Sequence, residues 1–134
     1  MFGTYQHSDL RIEIDASAEK IRESLTEPER LRQWLWPQQI KLSNRKTVLT
    51  TKLVEGQFFE SGLGPAKVGH KVERLSADGI RFLLSGSIDG FHEWQWGDGW
   101  IQSRLEGVSL LPLNLGQTVS LLRLKQYLQQ SAHG

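Results

Sequence analysis

Ile12-Glu13-Ile14-Asp15-Ala16-Ser17-Ala18-Glu19-Lys20-Ile21, continued by Leu25-Thr26-Glu27-Pro28-Glu29-Arg30-Leu31-Arg32-Gln33-Trp34, sets a strand and two short helices into residues 12–34. Leu10, Ile12 and Ile14 alternate with Asp9, Arg11, Glu13 and Asp15, the period of a half-buried strand. Asp15 and Ser17 then offer helix caps, and Ala18, Ile21 and Leu25 recur at helical spacing, so an amphipathic helix is predicted over Ser17–Leu25. Thr26 with Glu29 three residues on reads as a capping box, with Pro28 in the first turn. Leu31, Trp34 and Leu35 give that second helix its apolar face, and Pro37 ends it, because the residue before a proline avoids helical geometry.

Working outward, residues beyond Gln38 follow strand grammar. Weak strand candidates are Gln38–Ser43 and Thr47–Val54, then Gln57–Ser61 and, after a Gly62-Leu63-Gly64-Pro65 turn, Val68–Leu75. Asp78-Gly79, Asp89-Gly90 and Asp98-Gly99 each lie between apolar runs. Asp-Gly marks a tight hairpin because the turn requires positive φ. The three pairs predict strands at Ile80–Ser87, Phe91–Trp96 and Trp100–Val108, joined as an antiparallel meander. The last segment turns helical. Asn114 offers a cap, Leu115, Val119 and Leu122 share a stripe, and Leu121, Leu124 and Leu128 widen it. A helix this apolar must lie against the sheet.

Strand, two short helices, a run of antiparallel strands and one long helix is an order that resembles the START-like (SRPBCC) superfamily, which includes Bet v 1 allergens, polyketide cyclases and Aha1-type domains. The resemblance rests on the two opening stretches, above all Thr26-x-Pro28-Glu29 with Leu31 and Trp34, and on Gly56-Gln57-Phe58-Phe59; it covers residues 8–131. It implies an α+β helix-grip fold: a curved antiparallel sheet of six to seven strands around a long C-terminal helix, as one domain over residues 1–134. It also implies a cavity between the concave sheet and that helix, the kind of place where apolar pockets form. The side chains expected to line it are Trp34, Phe59, His70, Phe82, His92, Trp94, Trp96, Arg104, Val119 and Leu122. Members of this superfamily carry lipids, bind hormones, cyclise polyketides or regulate partners, so the fold does not fix the activity.

Composition bounds the function classes. The chain has 134 residues, 38% hydrophobic and 23% charged, with 16 Lys and Arg against 15 Asp and Glu. That size and balance fit one globular domain. A net charge of +1 with scattered cations offers no footprint for nucleic acid or an anionic membrane. With no cysteine, disulfides, thiolate metal sites and cysteine nucleophiles are excluded. No basic-then-apolar opening reads as a signal peptide, and no run has the length of a membrane span. A cytoplasmic location is expected.

His92-Glu93-Trp94-Gln95-Trp96 begins like a zinc protease motif, but Trp96 stands where the second histidine belongs, and the segment reads as strand. His7, His70, His92 and His133 lack metal-ligand spacing, and no Gly-x-Ser-x-Gly elbow occurs. No metal or cofactor is expected. Alternation puts His92, Trp94 and Trp96 on one face of their strand and Phe91, Glu93 and Gln95 on the other. In the next strand Trp100, Gln102, Arg104 and Glu106 face together, and the sequence does not say which set is inward. His92 or Glu93 is either a general acid or base in the cavity or a satisfied sheet residue. The expected function is binding or transport of a hydrophobic small molecule, lipid- or polyketide-like. The alternatives are a polyketide cyclase or dehydratase, and a regulatory interaction module using the apolar Leu110-Leu111-Pro112-Leu113 loop.

Overall fold

Ten elements run in the order β1 (Thr4–Glu13), α1 (Ala18–Thr26), α2 (Pro28–Trp34), β2 (Gln39–Leu42), β3 (Phe58–Leu63), β4 (Ala66–Ser76), β5 (Gly79–Gly86), β6 (Ile88–Gly97), β7 (Trp100–Ser109) and α3 (Leu113–His133). The computed structural model describes residues 3–34, 39–42, 52–63, 66–109 and 112–133. Among these, seven strands form one antiparallel sheet in the order β1-β7-β6-β5-β4-β3-β2. The meander β2–β7 is continuous, and β1 closes its far edge by pairing with β7 in the register Ile12↔Ile101. The register shifts between Val72 and Arg74 on β4, a bulge of the kind that bends a strand and increases its twist.

The helix-grip arrangement stands as expected. α1 and α2 pack on one another, and α3 lies against β1 and β7 and against both short helices. Inward alternation on β5 and β7 buries Ile80, Phe82, Leu84, Ile101 and Leu105 in one core with Leu121, Leu124 and Leu128 of α3. Each fully buried aliphatic side chain contributes about 1.5–3 kcal/mol by leaving water. Trp34 ties the layers together. Its indole N–H donates to Ser24 O at 2.8 Å, its carbonyl accepts from Arg123 Nε at 2.8 Å, and its ring meets Trp94 edge-on at 6.0 Å.

Local chemistry departs from the sequence-based expectation at two of the predicted helix caps. Ser17 caps α1 as expected, accepting from Lys20 N–H. Thr26, however, is the last residue of α1, and its hydroxyl donates to Arg22 O rather than capping α2. Glu27 joins the helices: its N–H goes back to Glu23 O and its carbonyl accepts from Leu31 N–H. Asn114 lies inside α3 and donates to Ser8 Oγ at 2.8 Å instead of capping.

Hairpins form at Asp78-Gly79 and Asp98-Gly99, although in the first the turn residues are Ala77 and Asp78 and Gly79 opens β5 without positive φ; Asp98 Oδ1 also accepts from Ala18 N–H at the start of α1. The Asp89-Gly90 hairpin does not form. The chain turns instead at Gly86, with φ +85°, and Ser87, while Gly90 sits inside β6 opposite Leu84 and Gly107. A Cβ on Gly90 would come within 1.9 Å of Glu106 O, so glycine is needed there for close strand approach rather than for a turn. Residues 47–51 of the Thr47–Val54 candidate, Leu35, Pro37, Leu110 and Leu111, and the turn at 64–65 lie outside the described residues; 52–54 are not strand.

Candidate ligand site on the concave face

Alternation along β3–β6 aims five rings at the concave side. Phe59 lies flat on His70, with centroids 4.6 Å apart and planes 6° from parallel. Phe82 meets both edge-on, at 5.6 and 5.7 Å. His70 pairs with Leu84 across β4–β5, and Phe82 pairs with His92 across β5–β6. The two histidines thus lie on one face, two strands apart, with Phe82 and Leu84 between them. His92 in turn packs against Trp94 at 4.5 Å. Phe59, Phe82 and Trp94 are closed to solvent, whereas both histidines keep part of their surface open.

Each imidazole is held by a buried serine. Ser61 Oγ is 2.9 Å from His70 Nε2, and Ser103 Oγ is 2.6 Å from His92 Nε2. No partner to either Nδ1 occurs among the described residues. Neither Nδ1 is sealed: among the described residues the fully enclosed side-chain nitrogens without a hydrogen bond are Arg22 Nε, Arg81 Nε and Trp96 Nε1. Burial lowers the pKa of His70 from 6.5 to about 4. Burial, and then the nearby His70, lowers that of His92 to about 3. Both rings are neutral at physiological pH, because an apolar wall penalises the charged form.

Behind His92 runs a buried polar cluster. Gln117 Nε2 donates to Ser103 O at 2.8 Å, Ser103 Oγ at 2.9 Å and Ser8 O at 3.2 Å. Ser8 Oγ donates to Gln117 Oε1 at 2.6 Å and accepts from Asn114 Nδ2 at 2.8 Å. Ser103 is 0% exposed and Gln117 1%. The cluster fastens α3 to β1 and β7 and satisfies groups that would be costly to bury alone.

Of the residues expected to line a cavity, Trp34, Phe59, His70, Phe82, His92, Trp94 and Trp96 lie on the inner side of the fold. Three do not. Arg104 is on the outer face of β7, because Ile101, Ser103 and Leu105 take the inward positions. Val119 and Leu122 are 45% and 58% exposed, as is the neighbouring Leu115. α3 turns Leu113, Gln117, Leu121, Leu124 and Leu128 to the sheet instead. Glu93 also faces outward, 3.6 Å from Arg81, beside a shallow depression of about 110 Å³ lined partly by Arg74, Asp78, Arg81 and Glu93. Ser61, Ser103, Ser8 and Gln117 were not anticipated. The signal for the serines is a small polar residue within an inward apolar alternation, as in Ile101-x-Ser103-x-Leu105.

No family model and no curated protein matches the sequence. Solved structures do. The Aha1 dimer of Colwellia psychrerythraea, solved in solution, aligns with a TM-score of 0.66 and 22% identity over 92% of this chain and 96% of that one. The AHSA1-like protein of Aeromonas hydrophila gives 0.68 at 14% identity, over 95% and 94%. DynU16, of the dynemicin biosynthetic locus, gives 0.69 at 16% identity over 93% of this chain; the match spans 48% of the DynU16 chain. The chain has the START-like, helix-grip fold. In this START-like sheet the residues at issue, His70 on β4 and His92 on β6, both face the side on which α3 packs. No group of three or more metal-ligating residues occurs among the described residues. No described helix is long and apolar enough to cross a membrane.

Proposed function

We propose that the protein binds a hydrophobic small molecule between the concave face of the sheet and α3. The observation that carries this is the pair of neutral imidazoles set in an aromatic wall, each with one ring nitrogen satisfied by serine and the other open. Small-molecule sites combine such apolar walls with a few placed polar groups that orient the ligand. The wall is better suited to holding a ligand than to moving its protons. An imidazole with a pKa of about 3 or 4 is a weak base at neutral pH, far from the matched value that general catalysis favours. Among the described residues no carboxylate hydrogen-bonds to either ring.

Tryptophan fluorescence tests the proposal, since Trp94 lies against His92. Titration with fatty acids, sterols and polycyclic aromatics should give a saturable change for at least one class, weakened about tenfold or more by His92→Trp, which puts a bulkier ring at that position. A response unchanged by that substitution would place the ligand elsewhere.

A further inference from the structure

The polar cluster behind His92 has a direction. Gln117 Nε2 sits between two backbone carbonyls, Ser103 O and Ser8 O, so the amide orientation is set: nitrogen toward the carbonyls, Oε1 toward Ser8 Oγ. An amide nitrogen carries protons and accepts none. Ser103 Oγ therefore receives from Gln117 and cannot return its own proton there. Its remaining partner is His92 Nε2, at 2.6 Å. Were His92 to carry its proton on Nε2, the Ser103 hydroxyl hydrogen would be buried without an acceptor, which costs a full desolvation penalty. From this order we infer that the series Asn114, Ser8, Gln117, Ser103 locks His92 as the Nδ1–H tautomer, and that the site selects ligands presenting an uncharged carbonyl-type oxygen to that N–H. The ligand class rests on the binding reading above; the tautomer does not.

Each link passes a donor toward the concave face: Asn114 N–H to Ser8, Ser8 O–H to Gln117 Oε1, Gln117 N–H to Ser103, Ser103 O–H to His92. Such chains polarise one another in one sense. The end product is one oriented N–H among Trp94, Phe82 and their neighbours. A ketone or quinone oxygen satisfies it. A carboxylate would also accept it, but would bring a full negative charge into an apolar wall where no Lys or Arg among the described residues is hydrogen-bonded to or stacked on either histidine. An unpaired buried charge is far costlier than a buried carbonyl. An isosteric hydrocarbon would leave the N–H unmet.

Two measurements on the full chain test this. Long-range ¹H–¹⁵N correlation at pH 7 should show His92 with a protonated, pyrrole-type Nδ1 and a pyridine-type Nε2. Ser103→Ala should move the ring toward a mixture of tautomers. A pyrrole-type Nε2 in the unsubstituted protein would overturn the inference whatever binds. Binding is then compared for 2-acetylnaphthalene, its planar isostere 2-isopropenylnaphthalene, and 2-naphthoate. The ketone should bind about 3- to 10-fold more tightly than the alkene, the range of one net hydrogen bond, and more tightly still than the carboxylate. His92→Phe should abolish the ketone's advantage. Equal binding of ketone and alkene, or a preference for the carboxylate, overturns the ligand class. If none of the three binds while the Nδ1–H tautomer is observed, the pocket reading itself fails and takes the ligand class with it.

Discussion

Phe59 lies flat on His70, ring centroids 4.6 Å apart, on adjacent strands whose register places the two residues opposite each other. A stacked, largely buried imidazole resists protonation. Its pKa of about 4, and that of about 3 for His92, link folding to pH. In the unfolded chain both rings titrate near 6.5. Below that pH the unfolded state takes up protons that the folded state refuses, so stability falls as pH drops through 6.5 and continues to fall toward 4. It is fully present above 6.5. Between pH 7.5 and 5.5 each histidine should remove on the order of 1 kcal/mol. Urea midpoints across that range check it. His70→Phe should flatten the curve, and an unchanged slope would show that His70 is not the titrating group.

Gln117 joins β1, β7 and α3 through three donor contacts and one accepted hydrogen bond. Gln117→Leu should cost about 2–4 kcal/mol, because the Ser8 hydroxyl loses its acceptor and the Ser8 and Ser103 carbonyls their donor in a buried setting. Chemical denaturation measures the loss. A neutral result would mean that water replaces the amide.

On α3, Leu121 is 2% exposed and Leu122 58%. Leu121→Ala should cost about 2–5 kcal/mol through the cavity it leaves. Leu122→Ala and Val119→Ala should stay within about 0.5 kcal/mol, and should leave ligand affinity unchanged. The three melting curves, compared side by side, decide which stripe faces the sheet.

Gly90→Ala should destabilise the β6–β7 pair by more than about 2 kcal/mol, since its Cβ would come within 1.9 Å of Glu106 O and 2.5 Å of Gly107 Cα. Gly116→Ala, where a Cβ meets nothing within 4 Å, should be neutral to slightly stabilising, because alanine is the better helix former. A comparable melting point for both variants would contradict the strand register given to Gly90.

Much of this fold is legible in the sequence because alternation and turn chemistry are local. Leu10-x-Ile12-x-Ile14 and the Asp98-Gly99 turn announce themselves. Asp89-Gly90 misleads because the same dipeptide serves two needs, positive φ and close backbone approach, and only the partner strand tells them apart. The face of α3 is ambiguous for a different reason. Leu115, Val119 and Leu122 form one helical stripe and Leu113, Leu121, Leu124 and Leu128 another, and the buried glutamine in the second makes it look the more polar. For the candidate site, alternation unites His92, Trp94 and Trp96, but inward and outward are decided by sheet curvature and by what α3 covers. The serines that hold the histidines are only faintly legible, since a buried serine and a solvated one are written with the same letter. Only the surrounding inward apolar pattern separates them.

Native mass spectrometry of the protein purified from its own host, followed by organic extraction of what it carries, tests the central claim most directly. The expected result is a bound species of defined mass, apolar and uncharged at pH 7, lost on His92→Trp. A protein that is empty from its host and stays empty against fatty acids, sterols and polycyclic aromatic ketones would contradict the binding function.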